Sequence, residues 1–453
     1  MKQVAKRGFA MVLILCLLVM PFSVSAENML YEYPAEGEDA VQSPSAIMLY
    51  MGVKPEQDVI LYEKEADARF QPGALMRLAF SGYAMKLITE QKIDMSTATG
   101  QYTLPLFNHY VAGTGLHVAL MEFGEVWTVK DLLTLSTMQT AADAAVTLAT
   151  VLSGTPEAFV EGMNAFAEEL GCKNSHFTNV IGLNEEGQYM SARDIVTFSR
   201  YAMQYSEIRN MLELTQWTVQ PVSGGDRRSW PCSNDMVRAS TSVYYSYATG
   251  GRTGGTVTEQ SLMAYGSRNG YEYMAVVLGG PRKDKEGEVI NTGYADARRL
   301  IRWGLIGFEY ATLVRKNEPV GRLKVKDCAK RNTVSLVPEQ DLFTVVKKGT
   351  DLDAATRKIT TEKDYCTAPV KKGQQLGTLE IQLDGKCIGS VSIVAGEEAP
   401  RNFLYALWSN IHSILFSGWT LAFVILLILL AVGYVILNIR YNRKRNRKWK
   451  TRN

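Results

Sequence analysis

The chain has 453 residues, enough for two or three domains. It is 46% hydrophobic and 21% charged, the balance of an ordinary globular protein. The net charge of +3 is too small to argue for a nucleic-acid partner, and much of the positive charge sits in the last fourteen residues.

Lys2, Lys6 and Arg7 precede an apolar run from Met11 to Met20, and Val24-Ser25-Ala26 supplies the small residues a signal peptidase needs. Residues 1–26 are therefore expected to be a cleaved signal peptide, with the polar, acidic residues 27–44 as a flexible leader. Ser45 to Tyr50 and Val59 to Tyr62 suit a pleated, half-buried surface, and Gly52 and Pro55 between them predict a hairpin. Pro72 opens a run in which Leu75, Leu78, Tyr83, Leu87 and Ile88 recur at roughly helical spacing, the pattern of a buried helix. Residues 129–152 read as a second long helix with Leu132, Leu133, Leu135, Ala145, Leu148 and Ala149 as its apolar stripe. Pro156 to Leu170 is a third, stopped at Gly171. Ser191 with Asp194 forms a capping box for a helix reaching about Tyr205. Residues 257–280 hold two strands joined through Ser267-Arg268-Asn269-Gly270, and Asn-Gly is a strong hairpin signal. A helix from Tyr294 to Leu305 follows. These elements predict an α/β domain over residues 45–310, an antiparallel sheet flanked by helices.

From about Ala311 the texture changes to short β-like runs: Val320 to Val325, Thr333 to Val337, Thr344 to Val346, Leu376 to Leu383 and Ile388 to Val394. Residues 311–400 are expected to form a small all-β domain and 401–418 a juxtamembrane linker. Trp419 to Asn438 carries no charge, which suits one bilayer crossing over residues 419–439. The basic residues of 440–453, among them Arg440, Arg443 and Lys444, mark the cytoplasmic side. The expected placement is a single-pass protein of the cytoplasmic membrane with its main domains outside the cell and its C-terminus inside.

Cys16 leaves with the signal, so Cys172, Cys232, Cys328, Cys366 and Cys387 remain. Export permits disulfides, the pairing stays open, and an odd count leaves at least one thiol unpaired within the chain. No Cys-x-x-Cys pair exists, and His109, His117, His176 and His412 form no cluster, so no metal and no other cofactor is expected.

Several stretches resemble the serine-type D-alanyl-D-alanine carboxypeptidases, the low-molecular-mass penicillin-binding proteins, whose transpeptidase domain is also β-lactamase-like. They are the hairpin before Pro72, Phe159-Val160-Glu161-Gly162-Met163-Asn164 with Ala167 and Leu170-Gly171, Phe177-x-Asn179-x-x-Gly182-Leu183, and Ser191-Ala192-Arg193-Asp194. Leu278-Gly279-Gly280, Asp296-Ala297 with Trp303-Gly304, and Ala368-Pro369-Val370 with Leu376-Gly377 continue the likeness over roughly residues 40–400. The resemblance implies three constellations: Ser-x-x-Lys on a helix, where the amine serves the hydroxyl as base, Ser-x-Asn, and Lys-Thr-Gly on a strand, which meets the substrate's carboxylate.

This chain departs from all three. Ala74 and Arg77 stand for Ser-x-x-Lys, Thr140-Ala141-Ala142 for Ser-x-Asn, and Arg252-Thr253-Gly254 for Lys-Thr-Gly. Ala74 has no oxygen to acylate, and Arg77 keeps its proton at any working pH, so it is no base. Ala142 has lost the amide, while Thr140 keeps a hydroxyl. Arg252 retains charge and a bidentate grip on a carboxylate, with Thr253 beside it. No Ser-x-x-Lys or Lys-Thr-Gly occurs elsewhere. Ser267-Arg268-Asn269 is a chance match in a hairpin turn, Ser81 faces elsewhere on the Pro72 helix, and Trp217 and Trp230 read as core more than as sugar-stacking residues. The expectation is an inactive, membrane-tethered homologue whose Thr140, Arg252, Thr253 and Gly254 bind peptidoglycan stem peptides, or which binds a cell-wall enzyme. Its alternatives are an active carboxypeptidase with relocated catalytic groups and an interaction platform that binds no peptide.

Overall fold

The computed structural model describes Tyr33, residues 40–284, 286–328 and 330–401, Leu407 and residues 418–450. The expected signal peptide and most of the expected leader and linker lie outside these residues. The chain divides into two compact units. The first holds the described residues up to Glu309 together with Val345–Thr350, and the second holds Tyr310–Thr344 and the described residues from Asp351 onward.

In the first unit β1 (Ser45–Tyr50) and β2 (Val59–Lys64) form the expected antiparallel hairpin. A short 3-10 turn, Gly73–Met76, leads into α1 (Arg77–Glu90). Two short strands, β3 (Thr99–Gln101) and β4 (Val126–Thr128), pair with each other. Next come α2 (Val129–Thr134), α3 (Ala142–Ser153), α4 (Pro156–Glu169), α5 (Ala192–Ala202) and α6 (Ser206–Glu213). The pair β5 (Gln216–Val219) and β6 (Arg228–Pro231) precedes β7 (Ala248–Gly255), β8 (Glu259–Arg268) and β9 (Tyr271–Pro281), and α7 (Thr292–Gly307) follows.

The main sheet is antiparallel in the order β2-β1-β9-β8-β7, so β7 is an edge strand. Strand alternation buries both of its faces. Ile47, Leu49, Met263, Tyr265, Met274, Val276 and Leu278 join the core under α1–α6. Ala46, Met48, Leu262, Ala264, Tyr273, Ala275 and Val277 join the core under α7. Gly304 lets α7 lie close, since a Cβ there would come 2.2 Å from the Met48 Cε. Helix α1 is buried on nearly every side. Phe80 packs on Phe159 of α4 with ring centroids 4.7 Å apart, and Phe166 of α4 meets Tyr201 of α5 at 4.8 Å.

Two predicted elements differ. The helix expected over 129–152 is broken: α2 continues as a π-helical segment, Leu135–Gln139, and Thr140 then adopts a left-handed backbone (φ 64°, ψ 25°) before α3 begins. The apolar stripe is continuous across the break because both halves face one core, which hides the break from periodicity. At Ser191 only half of the capping box forms. Its Oγ accepts from the Asp194 amide at 3.1 Å, but the Asp194 carboxylate turns to Asn174 N and Ser175 Oγ, each at 2.8 Å.

After α7 come β10 (Phe308–Val314), β11 (Gly321–Lys326), β12 (Thr333–Pro338) and β13 (Leu342–Lys347). They are followed by β14 (Thr356–Thr361), β15 (Tyr365–Thr367), β16 (Gln375–Leu383) and β17 (Lys386–Ala395). The sheet of the second unit has the order β14-β16-β17-β12-β11-β15, while β10 pairs with β13. The expected runs do not include β10, β14 or β15; in β14, Thr-Arg-Lys-Ile-Thr-Thr is almost wholly exposed and lacks an apolar alternation. The long helix α8 spans Gly418–Lys450, and its segment Ala422–Arg443, in which an 18-residue stretch has a mean hydropathy of 2.8, is long and apolar enough to cross a membrane. The five described cysteines are free thiols.

Candidate functional site

Ala74 sits half-buried in the 3-10 turn. Gly73 before it takes φ +51°, where a side chain is strained, and a Cβ there would approach the Gly255 carbonyl oxygen to 2.2 Å. The Asn184 amide bridges the turn and β7: its Oδ1 accepts from Gly73 N and its Nδ2 donates to the Gly255 oxygen, both at 2.9 Å.

Arg77 opens α1 and is fully buried. Its guanidinium donates to the carbonyl of Val180 and, at 3.0 Å, to that of Ile181, while its Nε has no partner. Asn179 shapes this loop, its Oδ1 accepting from the amides of Ile181, Gly182 and Leu183 at 3.2, 2.8 and 3.1 Å. Burial, then the nearby Arg252, push the Arg77 guanidinium down to about 9, with Asp143 pulling the other way. It stays protonated at neutral pH and is no base.

Thr140 is half-exposed at the break between α2 and α3. Ala142 is buried, and its amide donates to the His117 carbonyl at 2.8 Å. Asp143, next along, accepts from the amides of Ala119, Met121 and Ala144 at 2.9, 3.1 and 2.9 Å.

Arg252 departs from the expected open, carboxylate-facing arginine, being only 1% exposed. Its Nη1 donates to the Met138 carbonyl at 2.5 Å and to Ser233 Oγ at 2.9 Å. Burial pushes this guanidinium down to about 9 as well. Thr253 is half-exposed, with its Oγ1 donating to the Ser233 carbonyl at 3.1 Å. Gly254 is required by contact, because a Cβ would lie 2.4 Å from the Pro72 oxygen and 2.6 Å from Leu75 N. The Met138 carbonyl also accepts from Ser233 N at 3.1 Å, tying the loop of Thr140 to the segment after β6. The counterparts of all three motifs are thus linked around β7.

Sequence reasoning missed Val180, Ile181, Asn184, Met138 and Ser233. Four of these act mainly through backbone groups or a lone amide, which leave no pattern, and Ser233 lacks any base spacing. Its Oγ accepts from an arginine, so it has no activating partner. Ser81 is buried on α1, paired with Thr137 Oγ1 at 2.7 Å. Ser267 lies at the far end of β8, where Asn269 and Gly270 turn the hairpin with φ 54° and 83°. Trp230 is buried and pairs across the strands with half-buried Trp217. Among the described residues no group of three His, Cys, Asp or Glu is placed to hold a metal.

The model of the D-alanyl-D-alanine carboxypeptidase family matches residues 35–282, and that of the penicillin-binding protein 5 C-terminal domain matches residues 308–401. The chain belongs to the D-alanyl-D-alanine carboxypeptidase family. It is 26% identical to D-alanyl-D-alanine carboxypeptidase DacF of Bacillus subtilis, over 80% of this chain and 87% of the relative. It is likewise 26% identical to DacA of Escherichia coli K12, over 80% and 85%. Penicillin-binding protein 5 of Haemophilus influenzae superposes with a TM-score of 0.66 at 21% identity, covering 82% of this chain and 100% of that one. The fold is also shared with penicillin-binding protein 3 of Streptococcus pneumoniae, at TM-score 0.61 and 19% identity over 80% and 100% of the two chains.

Proposed function

We propose that this member of the carboxypeptidase family forms no acyl-enzyme and binds peptidoglycan stem peptides, or a cell-wall enzyme, at the outer face of the cytoplasmic membrane. The observation that carries the reading is at the head of α1. Ala74 offers no hydroxyl, and Arg77 one turn on is protonated, buried and bonded to two carbonyls. Acyl transfer needs an activated nucleophile, and Ser233 and Ser81, near β7 and on α1, have no base beside them, while Ser261 opposite Gly254 accepts from the Gly279 amide. Half-exposed Thr140, Thr253 and Gly254 leave polar groups for a peptide to meet. The apolar helix Ala422–Arg443 supports membrane anchoring, and the basic end of the chain fits a cytoplasmic C-terminus.

The test is to incubate the full-length protein in detergent with labelled penicillin and, separately, with a peptide ending in D-Ala-D-Ala. Peptide binding without D-alanine release or a penicillin adduct is expected. Release of D-alanine would replace this reading with an active enzyme of relocated groups, and absence of peptide binding would leave an interaction platform.

A further inference from the structure

Three arginines meet at the end of the main sheet away from Ala74. Arg268 closes β8, about 23 Å along the strand from Ser261, the residue paired with Gly254. Arg298 and Arg302 stand one turn apart on α7. All three are exposed. The Arg268 guanidinium lies over the Tyr247 ring, its Cζ 5.3 Å from the centroid, and that of Arg298 lies over Tyr245 at 5.2 Å. The two tyrosine rings meet edge to face at 5.7 Å. Burial pushes the Tyr245 phenol up, and Arg298, Arg302 and Arg268 each pull it back, so the three charges surround one ring. Strand β8, helix α7 and the segment of Tyr247 close on one another at Gly266, where a Cβ would come 2.5 Å from the Tyr247 oxygen and 2.9 Å from Ile301 Cγ2.

The acids on the neighbouring elements are committed elsewhere. Asp296 takes Arg299 at 2.9 Å and the amide and hydroxyl of Ser43 at 2.7 Å each. Asp235 holds Arg238, and Glu272 holds Arg209. Glu272 is paired with Ser267, so alternation puts it on the face of the sheet opposite to Arg268. Among the described residues the three arginines make no hydrogen bond and no ion pair through their guanidinium groups, their ring contacts apart. Like charges four residues apart on a helix repel, so fold stability does not account for the row of Arg298 and Arg302. An anion lying across the row would turn that repulsion into attraction, and a guanidinium grips phosphate oxygens through paired N–H groups.

The surface is not purely basic. Tyr247 is 38% exposed, and Ile306, one turn beyond Arg302 on α7, is 48% exposed. Arginine, tyrosine and a bare aliphatic side chain together suit the headgroup layer of a bilayer, where rings and alkyl groups dip below the phosphates. A soluble polyanion offers Tyr247 and Ile306 nothing apolar to meet. We propose that this surface of the first unit docks on anionic phospholipids, with Arg268, Arg298 and Arg302 on the phosphates and Tyr247 and Ile306 at the boundary of headgroup and acyl chain. Docking rests on the membrane anchoring read from the helix Ala422–Arg443 and is independent of stem-peptide binding. An apolar anchor accepts any bilayer, whereas the arginines distinguish a negatively charged one from a neutral one.

The test is arginine footprinting. The full-length protein is placed in nanodiscs of phosphatidylcholine, alone or mixed with phosphatidylglycerol, and treated with the neutral reagent phenylglyoxal, and modification at each arginine is followed by mass spectrometry. Arg268, Arg298 and Arg302 are expected to react at least fivefold more slowly on the anionic discs, while Arg227, exposed in the loop before β6, reacts equally on both. The difference is expected to vanish in about 0.5 M sodium chloride, where exposed charges are screened. Arg298→Gln changes an exposed side chain, so it is expected to fold and to lose most of the protection at Arg268 and Arg302. Equal rates on the two discs, an equal slowing at Arg227, or undiminished protection in Arg298→Gln overturns the surface. Poly(glycerol phosphate) added to the neutral discs separates the sources of phosphate. Slowing as great as on the anionic discs would assign the arginines to a soluble polymer and overturn lipid docking, and no slowing supports it. Co-elution with the neutral discs reads the anchor by itself. A chain that binds only the anionic discs has the surface without the anchor, and one that binds neither has neither. Binding of a D-Ala-D-Ala peptide bears on the stem-peptide reading alone.

Discussion

The amide of Gly255 donates to the carbonyl of Pro72 at 3.0 Å, so the edge strand β7 is laced to the turn that presents Ala74. The two backbones approach this closely only because Gly73 and Gly254 carry no side chains.

Gly254→Ala is the direct probe of that approach. Its Cβ would meet backbone atoms of Pro72 and Leu75 that cannot rotate away. Overpacking of this kind costs about 1–3 kcal/mol. The expected result is a lower urea midpoint at unchanged m-value, and a midpoint equal to the parent's would show that the strand stands clear of the turn.

Asn179→Ala tests the loop that receives Arg77. One side-chain oxygen serves three amides there, and the Nδ2 donates to the Leu183 carbonyl at 2.9 Å. Stranding several of these groups is expected to destabilise the fold by about 2–3 kcal/mol. Hydrogen exchange at Ile181, Gly182 and Leu183 is expected to quicken first, and exchange spread evenly over the first unit would argue against the local role.

Ala74→Ser restores a hydroxyl at the turn but no base, because Arg77 remains charged at neutral pH. The variant is expected to gain no penicillin adduct by mass spectrometry. An adduct on the introduced serine would reveal a proton acceptor that the geometry does not contain.

Asp58 gives a pH signature away from the site. It accepts from Arg200 Nε at 2.7 Å and from Gly52 N at 2.9 Å, yet burial outweighs these partners and pushes its carboxyl up to about 6. A carboxyl with a higher pKa folded than unfolded holds its proton more tightly in the fold. Its stabilising effect is therefore complete below about pH 4 and is lost as pH rises to about 6. Stability is expected to fall by about 2–3 kcal/mol across that window on account of this group. Asp58→Asn is expected to lack that part of the slope, and a slope unchanged in the variant would assign it to other groups.

Local chemistry made much of the fold legible. Gly52 and Pro55 marked the first hairpin, Asn269-Gly270 the β8–β9 turn, and Gly171, with φ +73°, the end of α4. The break at Thr140 was hidden because buried apolar residues lie on both sides of it, Leu135 and Met138 before and Ala141, Ala142 and Ala144 after. The motif positions were readable, but the depth of Arg252 was not. Its burial is set by Met138 and Ser233, which lie 114 and 19 residues away in the chain. A basic residue at a motif position looks the same in sequence whether it faces solvent or a carbonyl.

Helix α8 runs unbroken for 33 residues, a length of about 50 Å, whereas a bilayer's hydrocarbon layer is about 30 Å thick. Its uncharged stretch ends at Ile439, and the helix continues to Lys450 as a basic rod of roughly 16 Å. Such a rod has no slack beyond its apolar stretch. In a bilayer, tilting is one response of so long a rod to a change of thickness, and that tilt swings the rod's two ends in opposite directions.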